Sequence, residues 1–315
     1  MNSRDLTVFR SAKASAVLAS ALTLLALSIP ASAEAYLYWQ GSRGIARASL
    51  NGTGIDASFV ASVRGSVLGL AVSTQYIYFG GPGGAIGRAN LDGSNADLTF
   101  INIPQPVPEN PSRPTEEDAD FLAISGAHIY WADPGDSYIS RAGIDGADIE
   151  LGFIKTESDV SGIAIDGGHL YWASEHAIGR ANLERTDVEP NFIPLSASGA
   201  NGVAVADGYI YWSAHWGHNI GRAHINGRSV NPDFIVGLGY VSDATVGGQY
   251  LYWQAKEALS APTRVWIGRA QLNGRHVQRY LINVTNTKYG SLAADARGPS
   301  GKPGKHARPR QKHQR

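Results

Sequence analysis

The segment HLYWASEHAIGRANLE, residues 169–184, decides the fold, because nearly the same sequence occurs five more times in the chain. Its first half ends in Tyr171 and Trp172 and is typical of a strand, and Ile178 to Leu183 predict a second strand. The repeated tyrosine occupies Tyr38, Tyr78, Tyr130, Tyr171, Tyr211 and Tyr252, at steps of 40, 52, 41, 40 and 41 residues. A period of about 40 residues is the signature of a repeat architecture.

Other signals recur with the same period. Each tyrosine precedes a second aromatic residue, and each pair is followed by an Ile-x-Arg-Ala motif, with arginines at Arg47, Arg88, Arg141, Arg180, Arg222 and Arg269. Asn-Gly or Asp-Gly, typical of two-residue hairpin turns, follows in five copies, and the fourth copy has Glu184-Arg185 instead. A further strand, centred on an aromatic residue, follows each turn, at Phe59, Phe100, Phe153, Phe192, Phe234 and Tyr280.

A Gly-x-Ala-x segment precedes most of the Tyr-Trp pairs and completes four strands in each period. Four-stranded sheets that repeat at this length predict an all-β fold, a six-bladed β-propeller. The first copy begins at Tyr36 without such a segment, and a spare one lies at Gly290–Ala294. We therefore expect the C-terminal strand to complete the first blade and close the ring, which leaves no unpaired inner strand.

The motifs resemble the YWTD repeats of the low-density lipoprotein receptor family, whose module is a six-bladed propeller. The resemblance covers residues 36–295 and rests on all six copies. It departs in the last two letters of the motif, where Trp131-Ala132-Asp133 alone keeps the acid. The chain also has no cysteine, whereas the animal receptors carry cysteine-bearing partner modules. The resemblance thus implies the fold and not a receptor function.

Charge and hydropathy divide the chain into three parts. Residues 1–33 carry basic residues, an apolar run and Ala31-Ser32-Ala33, which predict a signal peptide cleaved before Glu34 and no membrane span thereafter. Residues 34–295, the predicted propeller, hold 26 acidic and 17 basic residues, and this excess of negative charge disfavours nucleic acid as a partner. Residues 296–315 hold seven Lys or Arg and no acid, and this tail is predicted to be disordered.

Candidate site residues lie in the loops between the second and third strands of each blade, on the face where propellers generally bind ligands. Blades three to five carry acids, imidazoles and an indole there: Asp133, Asp136, Glu175, His176, His215, Trp216 and His218. These side chains could contact a ligand, hold a divalent metal or supply a general acid and base. The same face receives an inserted loop, residues 104–120, that is rich in proline and acid. The six arginines, repeated at one position of every blade, indicate a structural role.

Three functions fit these features, and one of them is that of a structural scaffold associated with the cell envelope. The first of the other two is an exported, non-catalytic propeller, monomeric and without cofactor, that binds a protein or carbohydrate ligand on the loop face of blades three to five. The second is a propeller enzyme of the lactonase, hydrolase or lyase type with a divalent metal at the channel mouth. Each of these proteins is expected to be secreted or associated with the cell envelope, where the basic tail could bind an anionic polymer.

Overall fold

The structure is a computed structural model that describes residues 34–61, 63, 67–81, 83–105, 118–134, 137–195, 199–214, 218–257, 264–284 and 290–295. These residues form 24 strands. In chain order the strands are β1 (Tyr36–Gly41), β2 (Gly44–Ser49), β3 (Asp56–Val60), β4 (Leu70–Val72), β5 (Tyr76–Gly81), β6 (Ala85–Asn90), β7 (Asp97–Asn102), β8 (Phe121–Ser125), β9 (His128–Ala132), β10 (Tyr138–Gly143), β11 (Glu150–Lys155), β12 (Gly162–Asp166), β13 (His169–Ala173), β14 (Ala177–Asn182), β15 (Val188–Pro194), β16 (Ala200–Ala206), β17 (Tyr209–Ala214), β18 (Asn219–His224), β19 (Asn231–Val236), β20 (Tyr240–Gly247), β21 (Tyr250–Lys256), β22 (Val265–Gln271), β23 (Gln278–Asn283) and β24 (Leu292–Ala294).

The strands form six antiparallel sheets of four, the blades of a propeller. Blades two to six each consist of four consecutive strands, from β4–β7 to β20–β23. Blade one has the order β24-β1-β2-β3, so the last strand of the chain is its innermost strand. In this pairing Leu37, Tyr38 and Trp39 lie opposite Ala294, Ala293 and Leu292. The predicted six-bladed fold and its closure by the C-terminal strand are confirmed.

The Tyr-Trp strand of each blade packs on both neighbouring blades. Successive side chains of a strand point to opposite faces of the sheet. The tyrosine therefore contacts the next blade along the chain and the tryptophan contacts the preceding one: Tyr130 of blade three and Trp172 of blade four lie in one buried cluster. Both are about 1% exposed or less. Burial of side chains of this size stabilises a fold by roughly 1.5–3 kcal/mol each, which explains why both are aromatic in all six copies.

The repeated arginines join strands and blades. Arg88 lies 3.7 Å from the ring centre of Phe100 and 4.7 Å from that of Tyr76, in the same blade. Arg269 of blade six donates to the Leu50 carbonyl of blade one at 2.8 Å, and the hydroxyl of Tyr252 donates to the same oxygen at 2.7 Å. The guanidinium groups are thus held by cation–π and hydrogen-bond contacts within the ring, as a structural role requires.

The exception in the fourth hairpin turn has a structural cause. In four of the other blades the turn glycine lies against the aromatic residue of the preceding blade's outer strand, as Gly146 lies against Phe100. Arg185 stands in its place with a φ of 52°, pairs with Glu150 of blade three at 2.8 Å and donates to the Phe153 carbonyl at 3.2 Å. The contacts of the Arg185 side chain with blade three therefore replace the close contact that the turn glycine makes in the other blades.

Two substitutions at Arg185 should distinguish the stabilising contribution of its side-chain contacts from the cost of its positive φ. We expect Arg185→Ala to lower the free energy of unfolding by about 1 kcal/mol, because it loses the ion pair. The strain of a Cβ at positive φ is the same in this variant as in the parent. Arg185→Gly loses the same contacts and relieves that φ, and it should therefore be close to the parent in stability. Urea denaturation of the two variants measures the difference, and equal losses would show that φ contributes nothing.

Blade six departs from the predicted pattern in its outer strand. The sequence predicts Tyr280 as the equivalent of Phe234 and the other aromatic residues, and this alignment is wrong. Ile282 pairs with Ile267 as Ile235 pairs with Ile220, so Leu281 takes the aromatic position. Tyr280 consequently points outward, is 73% exposed and contacts Trp266 at 5.0 Å between ring centres.

Several expectations concern residues outside the described part of the chain. These residues include the predicted signal peptide at 1–33, the predicted tail at 296–315 and residues 106–117 of the inserted loop. In the residues that the structure describes, no helix has the length and hydropathy needed to cross a membrane.

Candidate functional site

The loop face is the end of the ring formed by the loops between second and third strands together with the blade-to-blade connections. Antiparallel order within each blade brings these two sets of connections to the same end. Inside the ring, the six innermost strands (β24, β4, β8, β12, β16 and β20) line a central cavity of about 230 Å³. Four of the candidate residues, Asp133, Glu175, His176 and His218, are described by the structure and belong to the loop face around this cavity.

Glu175 and His176 are two of the predicted residues and lie together in the second-to-third-strand loop of blade four. Their side chains are 75% and 74% exposed, and His176 Nε2 lies 3.9 Å from Glu175 Oε2. The backbone beneath them is fixed, since the amide of Leu195 donates to the His176 carbonyl at 2.8 Å. Both groups are therefore available to a ligand from a rigid loop.

Asp133, in blade three, belongs to a cluster with Asp118 and Asp120. Its Oδ2 accepts the amide hydrogen of Asp118 at 2.8 Å. The Asp118 carboxylate in turn accepts the amides of Gly83 and Gly84 of blade two, at 3.0 and 3.2 Å. Burial, together with the negative charges of Asp133 and Asp118, raises the pKa of Asp120 to about 7.

His218 extends the polar surface to blade five. Its ring lies 4.4 Å from that of Tyr240, centre to centre, and its carbonyl accepts the amide of Leu238 at 2.8 Å. The other three predicted residues, Asp136, His215 and Trp216, lie outside the described residues. Within the described ranges, no group of three or more His, Asp and Glu side chains is arranged to hold a metal ion.

The sequence analysis missed Asp243, which lines the central cavity in blade six. Burial raises its pKa to about 6, although hydrogen bonds from the Leu292 and Ala244 amides act in the opposite direction. A signal for this residue exists in the repeat: Asp243 occupies the first position of a Gly-x-Ala-x segment, where Gly162 and Gly202 stand in blades four and five. Blades four and five have glycine at this position, and the packing of the blades does not by itself require a carboxylate there.

Taken together, the loop face offers two chemical environments. Its rim at blades three to five carries acids and imidazoles, and the half-buried phenol of Tyr240 in blade six adjoins them; these groups form hydrogen bonds and ion pairs with a ligand. Its centre holds a carboxyl group with a raised pKa inside a narrow cavity. Irregular loops on a rigid scaffold are the usual location of binding residues in proteins.

Comparison with solved structures identifies the fold. One chain of the crystal structure of a nidogen/laminin complex superposes with a TM-score of 0.62 at 19% sequence identity, over 82% of this chain and 98% of that chain. The fold is that of a six-bladed β-propeller. The computationally designed Ika8 protein matches more loosely, with a TM-score of 0.46 and 9% identity over 81% of this chain and 74% of its own. No protein-family model and no curated protein sequence matches the chain.

Proposed function

We propose that the protein is an exported, non-catalytic binding propeller that recognises a protein ligand with the loop face of blades three to five. One observation carries the proposal: unrepeated polar side chains project from a rigid loop on this face, with Glu175 and His176 about three quarters exposed. The opposite end, by contrast, carries the same type of turn in five of the six blades. Variation that is concentrated on one face is expected where selection acts on a ligand.

The chemistry of the rim favours a protein partner. The His218 ring packs against the Tyr240 ring at an interplanar angle of 50°, and the pair offers an aromatic contact of the kind that anchors protein interfaces. The acids of blades three and four favour a partner surface with positive charge or hydrogen-bond donors. The superposed propeller is a chain of the crystal structure of a nidogen/laminin complex, so a chain of this fold occurs in a complex of proteins.

Export is part of the same proposal and is supported by the N-terminal pattern of residues 1–33, with Glu34 as the expected first residue of the mature chain. The basic residues at 297–315 would hold the mature protein to an anionic polymer of the cell envelope. In that arrangement the tail retains the protein and the loop face remains available to the ligand.

A matched pair of charge reversals in blade four tests the binding face. The mature protein is first presented to arrays of secreted proteins and of glycans, and the strongest hit is measured again by surface plasmon resonance. We expect Glu175→Lys to weaken that affinity at least about tenfold, because it reverses the charge of a contact residue. Asp187→Lys makes the same change of charge on an exposed residue at the opposite end of the same blade and should leave the affinity within about twofold.

His218→Ala provides the second variant, because it removes the ring that packs against Tyr240. It should weaken the same interaction about tenfold or more. Equal losses in Glu175→Lys and Asp187→Lys would contradict the assignment of the face. If the strongest hit is a glycan and the variants affect its binding in the same way, the assignment of the binding face holds and the ligand is a carbohydrate instead of a protein.

A further inference from the structure

The innermost strands of blades five and six each contain a β-bulge at the loop-face end. The register of β16 with β17 shifts between Ala200 and Gly202, and that of β20 with β21 shifts between Val241 and Asp243. The other four innermost pairings run without a shift. Bulges re-aim side chains and are common beside functional sites. The six-fold repeat is therefore broken at two adjacent positions on the wall of the central cavity.

The extra residues of the bulges bring polar groups to the borders between blades. Asn201 Nδ2 donates to the Val241 carbonyl, from blade five to blade six, at 3.3 Å. Ser242 Oγ lies 3.4 Å from the Gly290 carbonyl, at the border between blades six and one. The Val241 carbonyl and the Ser242 hydroxyl belong to the two residues that precede Asp243 in the chain, so polar groups adjoin the point at which Asp243 enters the cavity.

Asp243 carries a negative charge that is compensated only by neutral groups. Its Oδ2 accepts the Leu292 amide at 2.9 Å and lies 3.5 Å from Ser291 Oγ, and its Oδ1 accepts the Ala244 amide at 2.8 Å. None of the contacts that the structure gives it among the described residues is to a cationic side chain. Asp243 is half-buried at the wall of the cavity, and a carboxylate withdrawn from water without a counter-ion is unfavourable, which agrees with its raised pKa.

A second oxygen beside Asp243 has no partner at all. Ser213 is 0% exposed, and its Oγ makes no hydrogen bond. A Cβ placed on Gly202 would stand 2.7 Å from Asp243 Oδ1 and 3.3 Å from Ser213 Oγ, so the two oxygens lie over the same side of that glycine. Native proteins seldom leave a buried hydroxyl unsatisfied, and each instance calls for an explanation such as a bound water or ion.

We propose that Asp243 and Ser213 bind a small monovalent cation at the loop-face end of the central cavity. Carboxylate, hydroxyl and carbonyl oxygens are the ligands that hard cations prefer, and they also accept hydrogen bonds from an ammonium group. One carboxylate balances one positive charge, which favours an alkali ion or a primary alkylammonium group over a divalent ion. The bound cation supplies the missing counter-ion of Asp243 and the missing partner of Ser213. The site does not depend on the protein ligand proposed above.

Thermal unfolding in matched salts tests the site. The full chain is melted at neutral pH and equal ionic strength in potassium, sodium, methylammonium or tetramethylammonium chloride, the last being too large for the cluster. We expect at least one small cation to raise the melting temperature by about 2–4 °C over tetramethylammonium. Stabilisation by the alkali ions alone identifies a metal ion, and stabilisation by methylammonium alone identifies the ammonium group of a ligand.

Three variants show whether the effect arises at this site. Asp243→Asn should abolish the difference in melting temperature between the salts. Ser213→Ala keeps the carboxylate and should weaken cation binding, so that the half-saturating cation concentration rises at least about threefold. Asp120→Asn removes another carboxyl of raised pKa from blade three and should respond as the parent does. In the parent, ¹³C NMR should show the pKa of Asp243 falling as the active cation is added. Identical melting of the parent in all four salts, or an undiminished response in Asp243→Asn, would overturn the proposal.

Discussion

Deletion of residues 290–315 is expected to abolish cooperative unfolding, whereas deletion of residues 296–315 leaves the melting temperature of the propeller unchanged. The two truncated chains differ by six residues, which contain β24 (Leu292–Ala294). These few residues complete blade one and join it to its neighbours. The comparison therefore measures the contribution of ring closure separately from that of the basic tail.

The expected effect is large because β24 makes three kinds of contact. It pairs with β1 along Leu37–Trp39, and its loss would leave the innermost edge of blade one unpaired. Leu292 is 4% exposed within the cluster shared by blades one and six, and removal of a buried leucine costs about 2–5 kcal/mol. The Ser291 hydroxyl accepts the amide of Leu70 in blade two at 3.2 Å, and the Leu292 amide donates to Asp243 in blade six.

The summed loss approaches the whole stability of a typical domain, about 5–15 kcal/mol. Leu292→Ala provides an intermediate case, because it keeps the backbone pairing and should cost about 2–4 kcal/mol in urea denaturation. Far-ultraviolet circular dichroism and differential scanning calorimetry are the measurements. A single sharp transition near the parent temperature in the chain that ends at residue 289 would show that the ring does not need its closing strand.

The sequence was sufficient for the architecture because the features that determine it are periodic. Tyr-Trp pairs, arginines and turn residues mark the strands, and the missing first segment at Tyr36 together with the spare one at Gly290–Ala294 predicted the ring closure. Tyr280 shows the limit of this reasoning, since an alignment by aromatic character misplaced it by one residue. A shift of one residue reverses the face to which a strand residue points, and only the pairing of Ile267 with Ile282 decides it.

The candidate site could be predicted less completely, because it depends on departures from the repeat. Glu175, His176 and His218 were predicted from their position in the loops, which follows from strand order alone. Asp243 was not, although its replacement of the glycine of the repeat is visible in the sequence, and Ser213 was not either, because their joint significance depends on two β-bulges and on cross-blade distances that no periodic pattern encodes. Burial of a single carboxyl group results from the packing of three blades, and no local sequence reports it.

Asp243 is also expected to make the stability of the propeller depend on pH. Its pKa in the folded chain is raised to about 6 from an ordinary value of 3.8. Between these values the folded chain holds a proton that the unfolded chain has released. The contribution of Asp243 is therefore fully present below about pH 4 and is lost as the pH rises through about 6. At about 1.4 kcal/mol for each unit of pKa, the loss amounts to roughly 2–3 kcal/mol.

Comparison with Asp243→Asn isolates this effect. The asparagine oxygen can still accept the Leu292 amide, and the residue has no proton to lose, so the free energy of unfolding of the variant should lack this dependence. Urea denaturation from pH 4 to pH 8, in tetramethylammonium chloride to leave the proposed cation site empty, should show the parent losing roughly 2–3 kcal/mol relative to the variant. Asp120, whose pKa is raised to about 7, titrates in both chains and cancels in the difference.

The sign of that difference distinguishes two physical descriptions of Asp243. If its hydrogen bonds with the Leu292 and Ala244 amides outweighed its burial, the pKa would be lowered and the parent would gain stability relative to the variant as the pH rises. The parent should instead lose stability, because burial is the larger influence on this carboxyl group. Repeating the series in the cation that stabilises the parent should reduce the loss, since a counter-ion favours the ionised form. Parallel curves for the parent and Asp243→Asn at every pH would contradict the assignment of an uncompensated carboxylate to the cavity.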